Sequence, residues 1–331
     1  MKKLNYNHSI IKLISLVLFL SFLVSGCNRQ IEPISKTAFL LDTVVTITLY
    51  DSADSTILDD CISSCKYYEN LFSKTITTSD VSLINQAAGR PVTVSDDTIY
   101  LIQKAISYSE LSNGAFDITI GPVSDLWDFK SENPKIPQSS KIQSALSHVD
   151  YTTIKVTDKT VQLKDPAAKI DLGGIAKGYI ADQLKALLIS KGVKNAMINL
   201  GGNVYALGSK ENGTPYTIGI QKPFADLNTV LLSLPISNQS VVSSGPYERF
   251  FEKNGTLYHH IIDTTTGYPV KNDLYGVTIL SDDSVDGDAL STTCFALGKK
   301  EGIELINSLS GVEAVFIDCN YQITYTDKDK Q

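Results

Sequence analysis

The feature that most constrains this chain is the way its hydrophobic period keeps switching. Between residues 39 and 326, short runs with the two-residue alternation of a strand are interleaved irregularly with longer runs at the 3.6-residue spacing of a helix. Alternation is clear from Phe39 to Tyr50, where Thr43, Thr46 and Thr48 stand among Val44, Val45, Ile47 and Leu49. Helical spacing predicts helices at residues 54–71, 96–111, 139–146, 176–191, 288–297 and 300–308. Further strands are expected in a hairpin over 153–164, in seven short runs between residues 195 and 280, and in two more after residue 313. The regular strand–helix alternation of a doubly wound parallel sheet is missing. The expected class is therefore α+β, with several short, mostly antiparallel strands forming sheets packed with scattered helices.

The first residues have another purpose. Lys2, Lys3 and Lys12 precede an apolar run, Leu13 to Val24, broken only by Ser15 and Ser21 and ending in Val24-Ser25-Gly26-Cys27. That run is shorter than the roughly 20 residues of a membrane-spanning helix, and the layout is that of a signal peptide over 1–26. Its end resembles the lipobox of bacterial lipoproteins. The resemblance implies cleavage before Cys27, a diacylglyceryl group on its thiol, a tether over 27–38 and a domain over 39–327 held on the extracytoplasmic face of the cell membrane.

Composition narrows the partners. A hydrophobic fraction of 43% suits a chain with a large core, and a formal net charge of −7 argues against a nucleic-acid partner. Cys61, Cys65, Cys294 and Cys319 are too few for a disulfide scaffold, and no histidine lies near Cys61 and Cys65 to complete a zinc site. Both are expected to be buried as small apolar groups.

Four glycine-marked clusters combine tight backbone with polar side chains. The first runs from Gly114 to Pro122 and contains Ala115, Phe116 and Asp117. In the second, Asp171 to Tyr179, Gly173 and Gly174 open a helix with Lys177 in its first turn, a candidate phosphate site set against a purely structural helix start. The third gathers Leu200-Gly201-Gly202-Asn203, Ser244-Gly245 and the stretch from Tyr258 to Pro269. Its His259 and His260 point to opposite faces of a strand, so one could serve acid–base chemistry while the other is structural. In the fourth, Asp288 and Thr292 are four residues apart at an expected helix start, so their oxygens share a face and could take a hard cation, or simply cap the helix.

Taken together and in this order, GAFDITIGP, DLGGIAKG, LGGN, HHIID with TGYP, and DALST resemble the ApbE family of flavin transferases, a resemblance that runs over residues 39–318, nearly the whole mature chain. The resemblance implies transfer of FMN from FAD to a Thr or Ser hydroxyl of a target protein, with AMP released and Mg²⁺ required. By residue, it implies Asp288, Thr292 and the carbonyl of Gly174 as metal ligands, and Leu41, Ala115, Phe116, Asp117, Asp171 and Lys177 as flavin-nucleotide contacts. It implies His260 as the base that activates the acceptor hydroxyl. This chain departs from the family pattern at Leu41-Asp42-Thr43, where members often have Met-Gly-Thr, at Thr264, where many have Pro, and at Val285, where some have an acid. FAD hydrolysis to FMN and AMP, and non-catalytic flavin binding by a tethered lipoprotein, are the competing readings.

Overall fold

Residues 32–326 are described by the structure, a computed structural model. The expected signal peptide and Cys27 lie outside the described residues. Ser35 and Thr37 face Thr48 and Thr46 across a β-hairpin, their hydroxyls 2.7 and 3.1 Å apart, so the chain pairs as soon as it is described. This hairpin, β1 (Ile34–Leu40) and β2 (Thr43–Leu49), corrects two expectations. Residues 34–38, expected in the tether, are part of β1, which begins at Ile34. The single strand expected over 39–50 is broken at Leu41 and Asp42, both with positive φ (54° and 60°), in a two-residue turn whose twist matches that of the paired strands.

The remaining elements follow in order: α1 (Ser55–Phe72), α2 (Asp80–Gln86), β3 (Val92–Thr93), α3 (Asp96–Leu111), α4 (Gly121–Ser124), α5 (Ser139–Leu146), β4 (Ile154–Val156), β5 (Thr160–Leu163), α6 (Ala176–Ser190), β6 (Ala196–Leu200), β7 (Asn203–Leu207), β8 (Tyr216–Gln221), β9 (Val230–Ile236), β10 (Gln239–Ser244), β11 (Phe250–Lys253), β12 (Thr256–His259), β13 (Leu274–Ser281), α7 (Ser284–Leu297), α8 (Lys299–Asn307), β14 (Val312–Asp318) and β15 (Ile323–Tyr325). An eight-stranded sheet in the order β1-β2-β6-β7-β10-β13-β14-β15, antiparallel throughout, carries the fold, and three small antiparallel sheets complete an α+β architecture.

Alternation along these strands decides what covers each face. Val277, Ile279, Ala314 and Phe316 point into the main core, where α1, α6 and α7 bring Ile57, Cys61, Ile180, Leu184 and Ala289 against the sheet. Leu280, Val315 and Ile317 point the other way and pack under β8 and β9 with Ile220 and Ile236. With both faces apolar, the strands lose the polar-out pattern of a half-solvated antiparallel sheet. Cys61 and Cys65 are fully buried with free thiols pushed up to about 12 by burial, small apolar groups as expected.

Candidate functional site

Two helices that start face to face build the site. The loop Asp171–Ile175 leads into α6, and no side chain of its own caps that helix. Its cap comes from Asp288 on α7: the Gly178 N–H donates to Asp288 Oδ2 at 2.8 Å, and the backbone of Lys177 also bonds this carboxylate. Asp288 was expected at a helix start; α7 instead begins at Ser284, so Asp288 sits a turn further in and is buried. The phosphate site imagined on free N–H groups at the start of α6 is thus modified, because a buried carboxylate already occupies this positive helix end.

Asp288 presents a hard oxygen there. Burial pushes its carboxyl above the usual carboxylate range, against the pull of the Lys177 ammonium and the two N–H groups. One turn on, Thr292 Oγ1 lies 3.4 Å from Ser244 Oγ. A Cβ built on Gly174 would lie 3.6 Å from Thr292 Oγ1 and 3.1 Å from the Phe116 ring, so the bare glycine leaves a cradle lined by that hydroxyl and the ring edge. Among the described residues no three His, Cys, Asp or Glu side chains converge. The donor set on hand is a carboxylate, a hydroxyl and the adjacent Gly174 backbone, which fits a hard, oxygen-seeking cation such as Mg²⁺ completed by substrate oxygens or water.

The first cluster supports this cradle rather than reaching outward. Phe116 is buried, edge-on to Tyr108. Asp117 accepts from Thr119 N (2.7 Å), Thr119 Oγ1 and Tyr151 N (3.0 Å), so both carboxylate oxygens fix loop backbone. Asp171 is likewise engaged, by Lys74 Nζ (2.9 Å), Ser124 Oγ (3.0 Å) and Gly173 N (2.9 Å). Burial would raise its carboxyl, but the Lys74 charge and these donors outweigh it and hold it low. Leu41 is partly buried against the main core and its N–H donates to Glu69 Oε1 at 2.8 Å.

The paired histidines make different contacts, His259 at the end of β12 and His260 just beyond it. His259 Nε2–H donates to the Val270 carbonyl at 3.0 Å and its Nδ1 accepts from Ile261 N, which fixes a neutral structural ring. His260 Nδ1 is buried with no partner, and burial, then Arg249, His259 and Lys177, push this ring down to about 3. For His259, burial lowers the value from 6.5 to about 4. Its unfolded form protonates first, so its contribution is complete above pH 6.5 and is lost as pH falls toward 4. We expect wild type to lose about 3 kcal/mol between pH 7 and pH 4 that a His259→Gln variant does not, read from urea unfolding at each pH.

A model of the ApbE family matches residues 41–316. The chain belongs to the ApbE family. A protein of Klebsiella pneumoniae named FAD:protein FMN transferase is 40% identical over 292 residues, 87% of this chain and 90% of that protein. The solved ApbE protein of Thermotoga maritima superposes with a TM-score of 0.83 at 32% identity, covering 90% of this chain and 98% of its own. A solved structure titled flavin transferase ApbE, from Vibrio cholerae, gives a TM-score of 0.80 at 25% identity over 89% and 96% of the two chains.

Residues that sequence reading passed over also enter the site of this ApbE chain. Glu248 lies where Lys177, Asp288 and Arg249 all act on its carboxyl, which desolvation pushes up. Arg249 accepts the His260 N–H on its carbonyl at 3.1 Å and pairs with Asp42 at 3.1 Å, tying the Leu41–Asp42 turn to the histidine. Thr264, one of the departures from the family pattern, donates to the Gly114 carbonyl at 2.7 Å and links two motifs. Neither Glu248 nor Arg249 carries a local signal, because each acts through a residue distant in the chain.

Proposed function

We propose that the chain is a Mg²⁺-dependent FAD:protein FMN transferase that modifies a Thr or Ser hydroxyl on exported or membrane redox proteins. The observation that supports this reading is the pairing of Asp288 with the Lys177 and Gly178 backbone, one helical turn before Thr292 beside Gly174, with an unpartnered nitrogen on His260 close enough to feel the lysine. The acceptor oxygen forms a bond to the FMN-side phosphorus, the pyrophosphate P–O bond breaks, and AMP departs with the electron pair. Asp288, Thr292 and the Gly174 carbonyl would hold Mg²⁺, which supplies charge neutralisation on the phosphoryl oxygens. Lys177 stabilises the same developing charge from the first turn of α6. His260 takes the hydroxyl proton; the incoming pyrophosphate, being negative, offsets the cationic groups that depress this ring and makes it a stronger base.

Ala115, Phe116, Asp117, Asp171 and Leu41 belong to the nucleotide side of this reading: Asp117 and Asp171 hold the loops, and Phe116 floors Gly174. Lipid on Cys27 would keep the site near membrane-bound acceptors, and no helix among the described residues is long and apolar enough to cross a membrane. The full chain in detergent, given FAD and Mg²⁺, should release AMP and add FMN to an acceptor, read by mass spectrometry. His260→Ala should slow transfer by about 10²–10⁴-fold. AMP with only free FMN would mark a hydrolase instead, and no AMP at all would sink the proposal.

A further inference from the structure

The capping between α6 and α7 is reciprocal. Asp288 on α7 caps the start of α6, and Asp182 on α6 caps the start of α7, its two carboxylate oxygens accepting from Ser284 N at 2.8 Å and Val285 N at 2.9 Å. Asp283, the residue before α7, makes no side-chain cap of its own. The helices touch where they exchange carboxylates: a Cβ on Gly178 would lie 2.3 Å from the Ser284 carbonyl oxygen. Lys185, one turn beyond Asp182, reaches Asp283 at 3.0 Å and the Asp282 carbonyl at 3.2 Å, closing the loop that enters α7. Ser284 is held from the sheet side as well, donating to Asn203 Oδ1 at 2.7 Å and accepting from Ser240 Oγ at 2.8 Å.

We propose that Asp182 is a positioning residue for the cation site, acting through the first turn of α7 to set Asp288 against Gly178 and Thr292 against Gly174. The reasoning is geometric. Asp288 lies one turn beyond the two N–H groups that Asp182 grips, so a start of α7 released from α6 carries Asp288 and Thr292 away together. Groups behind a metal ligand typically alter metal affinity by about 10–100-fold when removed. The inference rests on the cation site proposed above, and its test separates the two.

The full chain in detergent is titrated with Mn²⁺ as the probe, bound metal being followed by electron paramagnetic resonance well below the unfolding temperature. Wild type is expected to bind one Mn²⁺; if it binds none, the cation-site reading fails before Asp182 is at issue. Asp182→Ala should weaken Mn²⁺ by about tenfold or more and lower kcat with a smaller change in the KM for FAD. Asp182→Asn keeps the shape and one acceptor but faces the other N–H with an amide, so it should show a smaller loss, and it carries the test if the alanine variant does not fold. A merely structural Asp182 lowers the melting temperature and leaves Mn²⁺ affinity alone. Native circular dichroism with wild-type Mn²⁺ affinity in the asparagine variant and in any folded alanine variant would overturn the proposal.

Discussion

Exchange of Asp288 for alanine is expected to lower FMN transfer by about 10³-fold or more while AMP release from FAD falls in parallel, because one carboxylate serves two tasks. It is the only ionisable group of the proposed cation set, and it also accepts the Gly178 N–H that fixes the start of α6. Asp288→Asn separates these tasks. The amide oxygen can still accept from Gly178, but the charge is gone, so activity should fall nearly as far. Stability should move far less. Burial holds the carboxyl above the usual carboxylate range, which means that its ionised form is disfavoured in the fold at neutral pH. Without added cation, loss of this buried charge is offset by the Lys177 N–H left facing an amide, so the asparagine variant should melt close to wild type. Wild-type transfer rates in Asp288→Ala would remove this residue from the site.

The second large effect is expected at Gly178. A Cβ there would lie 2.3 Å from the Ser284 carbonyl oxygen and 2.7 Å from Val285 Cα, and neither backbone atom can swing aside as a flexible side chain would. Overpacking usually costs about 1–3 kcal/mol, and this contact, between two helix starts fixed on both sides, belongs at the top of that range or above it. Gly178→Ala should thus unfold at clearly lower urea concentration and lose most transfer activity, since separating the helices also pulls Asp288 from its N–H partner. Gly174→Ala is the control: its Cβ would meet the Phe116 ring edge at 3.1 Å and Thr292 at 3.6 Å, a milder clash centred on the cradle. It should disturb activity more than stability. Equal urea midpoints for Gly178→Ala and wild type would refute the close helix contact.

How much of this was legible in the sequence depended on where each element finds its cap. The helix from Asp96 to Leu111 was readable to the residue because Ser95 accepts the Thr98 N–H from within the same turn. The start of α7 was placed four residues late because its cap, Asp182, is 102 positions away from Ser284 in the chain. The turn at Leu41 and Asp42 carries no glycine or asparagine to announce it; Glu69 and Arg249 hold it from other elements. Motif order brings forward Gly174, Lys177, His260, Asp288 and Thr292, yet it says nothing of Lys74, Asp182, Glu248 or Arg249. Those act by closing gaps between distant segments, and spacing along a chain does not record such partners.

The reciprocal helix caps also fix the order in which this protein can become competent. Gly178 and Asp288 are separated by 110 positions, and the sheet's two outer strands, β1 and β15, come from opposite ends of the described chain. Residues before Ser284 hold most of the strands and the glycine loop, but without Asp288 the start of α6 has no cap, and Asp182 has no helix start to hold. Contacts of such long range form late, after the entropy of closing large loops has been overcome. The two helix starts are thereby completed together, by residues 110 and 102 positions apart in the chain.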